Sequence, residues 1–491
     1  MPLPHVLRLP NPQAGTRTVR SVRPPGSKSL TNRALLLAAL SSGETLLRGA
    51  LTEADDAKVM LAAIAQLGAS VRTTSDGTLA VTGVGGRWQV NGDAVKINLN
   101  NAGTATRFLA AACAVLTPAG TRIVLDGDAR MRQRPIGQLV DALHAMHASD
   151  GWKVNVQYGG DVAVPPLVIT GNGVPQGPLV ASFGATASSQ FISAVLLLAP
   201  FIKGGVRIEF TGAITSETYI DMTVGLLRQL GCNVQDQRPR TLAVSPKAGP
   251  AALFASGLIN IEPDASGASY FLAAGALRPD RPVMVAGLRT EGGTSLQGDS
   301  QFVRVLTAAG VQWRQDQGQD QRQDQGQDDG QAEGQEANGV HVGGNQSTLQ
   351  PFDFDFAGMP DTVMTAAVLA AFASPTPQNP DAVSRFASVQ TLRVKETDRV
   401  AALTAELAKL GVHVRVQAQA SGSETMLITP PRGGVLCTPD APPVVFETYH
   451  DHRMAMSMAL IALRRPNVQI IDPSCVGKTY PDYWKHFASV V

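Results

Sequence analysis

The sequence predicts an α/β protein of two similar domains, each assembled from three copies of one helix–strand–helix–strand unit. Two observations predict this. Six segments share one plan, a polar or charged head opening into an apolar helix rich in small residues, and their heads recur at intervals of roughly 75 to 100 residues. A second helical pattern follows most of them, then a Leu-Gly pair and a strand-like run.

The first head is Ser27-Lys28-Ser29, which runs into Ala34–Leu40. The first N–H groups of a helix lack internal partners, and its dipole is positive there. Lys28 and Arg33 add charge to that end, which suits phosphate or carboxylate groups. The next heads are Asn101-Ala102-Gly103-Thr104 before Phe108–Leu116, and Thr186-Ala187-Ser188-Ser189-Gln190 before Phe191–Leu198. The last three are Asp264-Ala265-Ser266, Pro360-Asp361-Thr362 and His450-Asp451-His452-Arg453, which open helices at Tyr270–Leu277, Val363–Phe372 and Met454–Leu463. Helices this apolar belong at the centre of a domain, buried on every side.

The following helices are amphipathic. Val59–Leu67, Val224–Leu230 and Val400–Leu410 each end before a glycine, and Val400, Leu403, Leu407 and Leu410 mark one apolar face. Val206–Phe210, Thr121–Leu125, Val468–Ile471, Val311–Trp313 and Val340–Val342 read as strands. Between the last two, residues 315–338 are almost wholly Gln, Asp, Gly and Glu, which predicts a disordered surface insertion.

Composition narrows the function. The 491 residues carry a formal net charge of +1, which excludes a global nucleic-acid or membrane-surface signature; anion chemistry must come from local cation clusters. Cys113, Cys232, Cys437 and Cys475 lie far apart with no ligand spacing, and read as buried small residues in a reducing compartment. Residues 1–20 lack an apolar signal core, and the longest apolar runs are too short to span a bilayer. The expectation is a soluble, cytoplasmic, monomeric protein.

With the heads aligned, the motifs resemble the 5-enolpyruvylshikimate-3-phosphate synthase family. They are Gly26-Ser27-Lys28-Ser29 with Asn32-Arg33; Asn101-Ala102-Gly103-Thr104-Ala105 with Arg107; and Arg130-Met131 with Arg134-Pro135-Ile136. Val394-Lys395-Glu396-Thr397-Asp398-Arg399, His450-Asp451-His452-Arg453-Met454-Ala455-Met456, and Gly477-Lys478-Thr479 with Pro481-Asp482-Tyr483 complete them. The resemblance covers nearly the whole chain outside the insertion. It implies two domains of three βαβαββ repeats each, an inside-out α/β barrel, with the active-site cleft between them. The implied bounds are 24–248 for the first domain, and 1–23 plus 249–491 for the second.

The resemblance also implies a reaction: the carboxyvinyl group of phosphoenolpyruvate moves to the 5-hydroxyl of shikimate 3-phosphate, and phosphate leaves. Both substrates are anions, and the chemistry needs a proton at a vinyl carbon and a deprotonated hydroxyl. No metal or organic cofactor is implied. Lys28, Asp361 and Glu396 match the catalytic set. Lys28, Ser29, Arg33, Ser188, Ser189, Gln190, Ser216, Asp361 and Lys395 match shikimate 3-phosphate contacts, with Tyr219 on the same side. Lys28, Gly103, Arg134, Gln190, Arg399, Arg453 and Lys478 match phosphoenolpyruvate contacts. Gly103 suggests a glyphosate-sensitive form. Asp361 also suits a helix N-cap. Lys395 and Arg399, four apart, would crowd like charge on one helix face, which a bound anion relieves.

One position departs from the family pattern: Thr391 stands where an Asn usually contacts the substrate phosphate. Three other readings fit the residues less well. UDP-N-acetylglucosamine enolpyruvyl transferase shares the fold but uses a loop Cys, and Asp126–Pro135 contains none. A silent binding module would not need Lys28, Asp361, Lys395, Glu396 and Arg453 together. A nucleic-acid-end enzyme would need a basic tract or a nucleotide-attached His, and neither is evident.

Overall fold

The computed structural model describes residues 4–16, 18–148, 150–186, 188–246, 257–290, 295–316, 338–344, 348–420 and 422–491. Helix α1 (Lys28–Leu40) begins where Ser27 Oγ accepts from Leu30 N, and every residue from Leu30 to Leu40 is buried. A helix with no solvent face needs neighbours all round. α1 packs against α2 (Asp55–Gln66) and α3 (Gly103–Leu116), and α3 in turn packs against α4 (Gly137–Ala145) and α5 (Ser189–Leu196). α6 (Glu217–Gln229) lies on α5.

Three four-strand ladders surround these helices. In each, the first two strands run parallel and the remaining pairs antiparallel. The central ladder is Ala94–Asn98, Arg122–Asp126, Leu167–Thr170 and Val156–Tyr158. The next is Leu179–Phe183, Val206–Phe210, Thr241–Ser245 and Asn233–Gln237, with His147–Ala148 added at its edge. The remaining ladder is Leu258–Asn260, Glu44–Arg48, Leu79–Thr82 and Ser70–Thr73. Its first strand therefore comes from the far end of the unit, and alternation sets each register: Val206 and Ile208 point inward, Arg207 and Glu209 outward.

The second unit repeats the plan with α7 (Ala265–Leu277), α8 (Phe302–Ala308), α9 (Val363–Ala371), α10 (Arg399–Ala408), α11 (His452–Ala459) and α12 (Tyr483–Val490). Every residue of α7, α9 and α11 is buried. Its ladders are Arg20–Val22, Val283–Ala286, Gly339–Val342 and Trp313–Asp316; Asp353–Asp355, Ser384–Ala387, Glu424–Thr429 and His413–Ala418; and Val444–Phe446, Val468–Ile471 and Val6–Arg8. Again one ladder takes its first strand, Arg20–Val22, from a distant part of the chain. α7 approaches its sheet closely enough that a Cβ on Gly275 would sit 2.6 Å from the Val342 carbonyl oxygen.

Contacts divide the chain into a unit of Gly26–Ile261 with Val394–Glu396, and a unit of Met1–Pro25, Glu262–Arg393 and Thr397–Val491. The crossings fall at Pro25/Gly26 and Ile261/Glu262, not at the expected 23/24 and 248/249. The second shift has a plain cause: Leu258–Asn260 completes a first-unit sheet beside Glu44–Arg48. The predicted insertion also needs correcting at its start, because Gln315 and Asp316 pair with Val340 and Gly339. Gln315 Oε1 further accepts from Thr290 N at 3.3 Å, so these two polar residues are strand, not loop. Residues 317–337, the bulk of the predicted insertion, lie outside the described residues.

All four cysteines are free; Cys113 and Cys232 are buried, whereas Cys437 and Cys475 are only half-buried, which corrects the expectation for those two. Among the described residues, no helix is long and apolar enough to cross a membrane.

Candidate active site

In the first unit, the heads of α1, α3 and α5 carry hydroxyls, amides and cations. Lys28 Nζ stands 3.3 Å from Asp56 Oδ2, a carboxylate in the first turn of α2. Ser29 beside it is half-buried. Arg33 turns inward: Nε donates to Thr223 Oγ1 (2.8 Å), Nη1 to the Ser29 carbonyl (3.0 Å), and Nη2 to Ser193 Oγ (3.3 Å) and the Tyr219 carbonyl (3.0 Å). Its Cζ also lies 5.2 Å from the Phe108 ring centroid. Burial pushes this guanidinium down to about 10. Arg33 thus ties α1 to α5 and α6. Three of its five N–H groups serve that purpose and a fourth bonds within α1 to the Ser29 carbonyl, leaving little free for a ligand.

The head of α3 is where cations gather. No side chain caps this helix, because Ala102 holds the N-cap position and Gly103 follows. Arg107 Nη1 donates to the Gly103 carbonyl (2.8 Å) and Nη2 to the Pro135 carbonyl (3.1 Å). Arg134 Nη1 donates to Asn101 Oδ1 (3.0 Å). A Cβ on Gly103 would lie 2.6 Å from Arg107 Nη1 and 2.8 Å from Arg134 Nη2. Only a residue without a side chain lets both guanidinium groups close over this helix end. The Nε of each arginine is buried and has no hydrogen-bond partner among the described residues. Burial, then the neighbouring Arg134, push Arg107 down to about 9, while Glu396 opposes them.

Glu396 reaches this cluster from a distant segment. Arg130 Nε donates to the Glu396 carbonyl (2.9 Å) and Nη2 to the Lys395 carbonyl (3.0 Å), clamping the backbone of both. Glu396 Oε1 then stands 3.8 Å from Arg134 Nη1, and both side chains are buried. Lys395 is not helical: a 3-10 turn ends at Val394 and α10 starts at Arg399, capped by Asp398. The expected like-charge pair on one helix face is therefore absent, because the intervening residues leave the helical path to meet Arg130.

The head of α5 leans on α3 through Gln190 Nε2, which donates to Thr104 Oγ1 (3.3 Å). Ser188 caps α5 by accepting from Gln190 N (3.3 Å), and Ser189 is buried. Ser216 precedes α6 in left-handed backbone, φ 52°, without capping it.

The second unit's cluster is built on carboxylates. Asp361 Oδ1 accepts from Arg399 Nη1 (3.1 Å) and Oδ2 from Arg453 Nη2 (2.9 Å). Arg399 also grips Asp451 with two bonds, Nε to Oδ2 (2.8 Å) and Nη2 to Oδ1 (3.2 Å). Asp451 in turn caps α11 by accepting from Arg453 N (2.9 Å). Asp361 is not the expected N-cap: a 3-10 turn spans Pro360–Thr362, and Thr362 occupies the cap position of α9. Two guanidinium groups are stronger partners for a carboxylate than a neutral N–H. Lys478 ends the half-buried 3-10 turn Pro473–Lys478. Thr391 sits in the 3-10 turn Gln390–Val394, with its buried Oγ1 lacking a hydrogen-bond partner among the described residues.

Sequence reasoning assigned no role to Arg107, Arg130, Asp56, Asp299 or Asp451. Arg107 could have been found from its place one turn after Gly103 at a crowded helix head. Arg130 could not, since its acceptors lie some 265 positions away.

Two units of three buried-helix repeats, one with cationic heads and one with arginine-bridged carboxylates, define an α/β fold suited to anionic substrates and proton transfer. The EPSP synthase (3-phosphoshikimate 1-carboxyvinyltransferase) family matches residues 12–487. The chain belongs to that family. A 3-phosphoshikimate 1-carboxyvinyltransferase from Bordetella petrii is 41% identical over 473 residues, 95% of this chain and 93% of that protein. Its counterpart from Shewanella halifaxensis is 37% identical, covering 94% and 95%. Among solved structures, an EPSP synthase from Acinetobacter baumannii superposes with a TM-score of 0.70 at 21% identity, covering 98% of this chain and 97% of that one. The enolpyruvyl transferase NikO from Streptomyces tendae gives 0.65 at 17%, covering 99% and 96%; both likenesses concern the fold alone.

Proposed function

We propose that the two clusters serve one reaction: transfer of the carboxyvinyl group of phosphoenolpyruvate to the 5-hydroxyl of shikimate 3-phosphate, with release of phosphate. The observation that carries it is the uncapped head of α3, closed over by Arg107 and Arg134, with the Glu396 carboxyl 3.8 Å from Arg134. Positive charge, free helix dipole and an acid at one spot suit an anionic vinyl substrate that must be protonated on carbon.

In this reading Glu396 delivers a proton to the methylene carbon. The 5-hydroxyl oxygen attacks the adjacent carbon and loses its proton to Asp361 or Lys28, which gives a tetrahedral adduct. Expulsion of phosphate, with a methyl proton returning to the Glu396 carboxylate, restores the vinyl group. Arg134, Arg399, Arg453, Lys478 and Gln190 hold phosphoenolpyruvate at its phosphate and carboxylate, and Gly103 admits it to the helix end. Lys28, Ser29, Arg33, Ser188, Ser189, Ser216 and Lys395 hold shikimate 3-phosphate. The inward bonds of Arg33 make its contribution chiefly the placement of α1, α5 and α6. The proposal includes a cytoplasmic monomer, in keeping with four free thiols.

Phosphate release from phosphoenolpyruvate, followed with shikimate 3-phosphate and separately with UDP-N-acetylglucosamine, tests this. Turnover with the first acceptor alone supports it; folded protein inert with that acceptor overturns it.

A further inference from the structure

Helix α10 carries a second buried charge that the proposed reaction does not use. Glu406 lies seven positions after Arg399, two turns on along the same face, and both side chains are buried. Its carboxylate is filled: Oε1 accepts from the Tyr449 hydroxyl (2.7 Å), and Oε2 from Glu447 N (3.0 Å) and Lys409 Nζ (2.6 Å). Lys409 also donates to the Val445 carbonyl (2.9 Å). An ordinary i, i+3 helix pair with Lys409 would account for one of these bonds to Glu406. The other two go to the segment that enters α11.

That segment is strained. Residues Thr448 to Asp451 form a tight turn, closed by Asp451 N donating to the Thr448 carbonyl (2.8 Å). Both central residues take left-handed backbone, φ 55° at Tyr449 and 54° at His450. Neither is glycine, and a residue with a Cβ holds this conformation only where its surroundings enforce it. Two carboxylates do so. Asp472 meets His450 Nδ1 at 2.7 Å, but that imidazole is almost fully exposed, and a bond between groups open to water contributes little. Glu406 is buried and holds Tyr449, whose own ring is exposed and so is not kept there by packing. Directly beyond the turn come Asp451, bonded to Arg399, and Arg453, bonded to Asp361. One helix therefore grips the entry to α11 at two points, Arg399 on Asp451 and Glu406 on Tyr449.

We propose that Glu406 is a positioning residue for the phosphoenolpyruvate anion. Through Tyr449 and Glu447 N it fixes the turn that places Asp451, and so the guanidinium groups of Arg399 and Arg453. This rests on the reading that those two arginines hold phosphoenolpyruvate. Glu406 acts through these groups and not on the substrate. Without its bonds the left-handed turn relaxes and Asp451 shifts against Arg399. The two guanidinium groups then lose the fixed spacing that gripping a phosphate and a carboxylate requires.

The test measures kcat, KM for each substrate and urea midpoints for the wild type, Tyr449→Phe, Glu406→Gln and Arg453→Lys. Tyr449→Phe removes one oxygen and keeps the ring. Its KM for phosphoenolpyruvate should rise about tenfold, the equivalent of one hydrogen bond to a charged group. Glu406→Gln removes the charge behind three bonds and should raise that KM further. In both, kcat and KM for shikimate 3-phosphate should change much less. A purely structural role would lower the folded fraction, and with it the apparent kcat and the urea midpoint, while KM stayed where it was. Wild-type KM for phosphoenolpyruvate in Tyr449→Phe and Glu406→Gln, beside a raised KM in Arg453→Lys, overturns this inference alone. A wild-type KM in Arg453→Lys overturns the underlying reading and this inference together. Should Glu406→Gln fail to fold, the KM of Tyr449→Phe decides.

Discussion

Asp361 Oδ2 accepts from Arg453 Nη2 at 2.9 Å, while its other oxygen holds Arg399, so one carboxylate bridges two guanidinium groups. The arginines proposed to grip phosphoenolpyruvate are therefore already engaged, and a substrate anion must share or replace Asp361. Removing it takes one carboxylate from Arg453 and leaves Arg399 with Asp451, and breaking a buried ion pair costs up to roughly 3–5 kcal/mol. Asp361→Ala should lose most activity and unfold more easily. Added phosphate should raise its melting temperature more than that of the wild type, because an anion can take the vacated place. Equal phosphate shifts in both proteins would show that the arginines do not accept an anion there.

Gly103→Ala forces a Cβ against Arg107 and Arg134 at 2.6 and 2.8 Å. Both guanidinium groups are tied to backbone or to Asn101, so neither moves freely. KM for phosphoenolpyruvate should rise about tenfold or more, the size of one lost charge-assisted contact. Glyphosate inhibition should weaken with it; unaltered inhibition would contradict this placement.

Glu396→Gln keeps the shape and the backbone clamp from Arg130 while removing the acid. Both substrates should still bind, measured by calorimetry, and kcat should fall by about 10² to 10⁴. Full rate would end its proton-transfer role.

Arg33→Lys tests whether Arg33 is chiefly a clamp. A lysine cannot reproduce the fork that joins Thr223, Ser193 and Tyr219. The variant should lose roughly 2–4 kcal/mol in chemical denaturation, as buried acceptors go unmet. A variant as stable as the wild type, with raised KM for shikimate 3-phosphate only, would make Arg33 a ligand contact first.

Asp299 makes stability depend on pH. Its folded value, about 7, lies above the ordinary carboxylate value of 3.8, so between these the folded protein binds the extra proton. This contribution favours folding below about pH 4, declines as pH rises to about 7, and is unfavourable by a few kcal/mol, to order of magnitude, beyond that. Asp299→Asn should therefore gain stability relative to the wild type at pH 8 and not at pH 4, read from denaturant midpoints. The same difference at both pH values would contradict the assignment.

The amino-acid sequence by itself determined the repeat, because period and composition are local. The six apolar helices could be read from runs such as Ala34–Leu40, and the heads from the polar residues before them. It also marked Lys28, Gly103, Arg134, Asp361, Glu396, Arg399 and Arg453 through local motifs. Tertiary structure alone decided which groups meet. Arg33 reads as an exposed cation at a helix start, yet partners some 160 to 190 positions away turn it inward. Asp361 reads as a cap, but two guanidinium groups from other repeats outcompete the backbone for it. Lys395 and Arg399 read as helical neighbours, until Arg130 draws Lys395 and Glu396 off the helical path. Leu258–Asn260 reads as the start of the second domain, but the sheet beside Glu44–Arg48 lacks that strand and takes it. Periodicity reports which face of an element is apolar; it carries no information on which distant charge or sheet edge still lacks a partner, and that requirement settles where these side chains go.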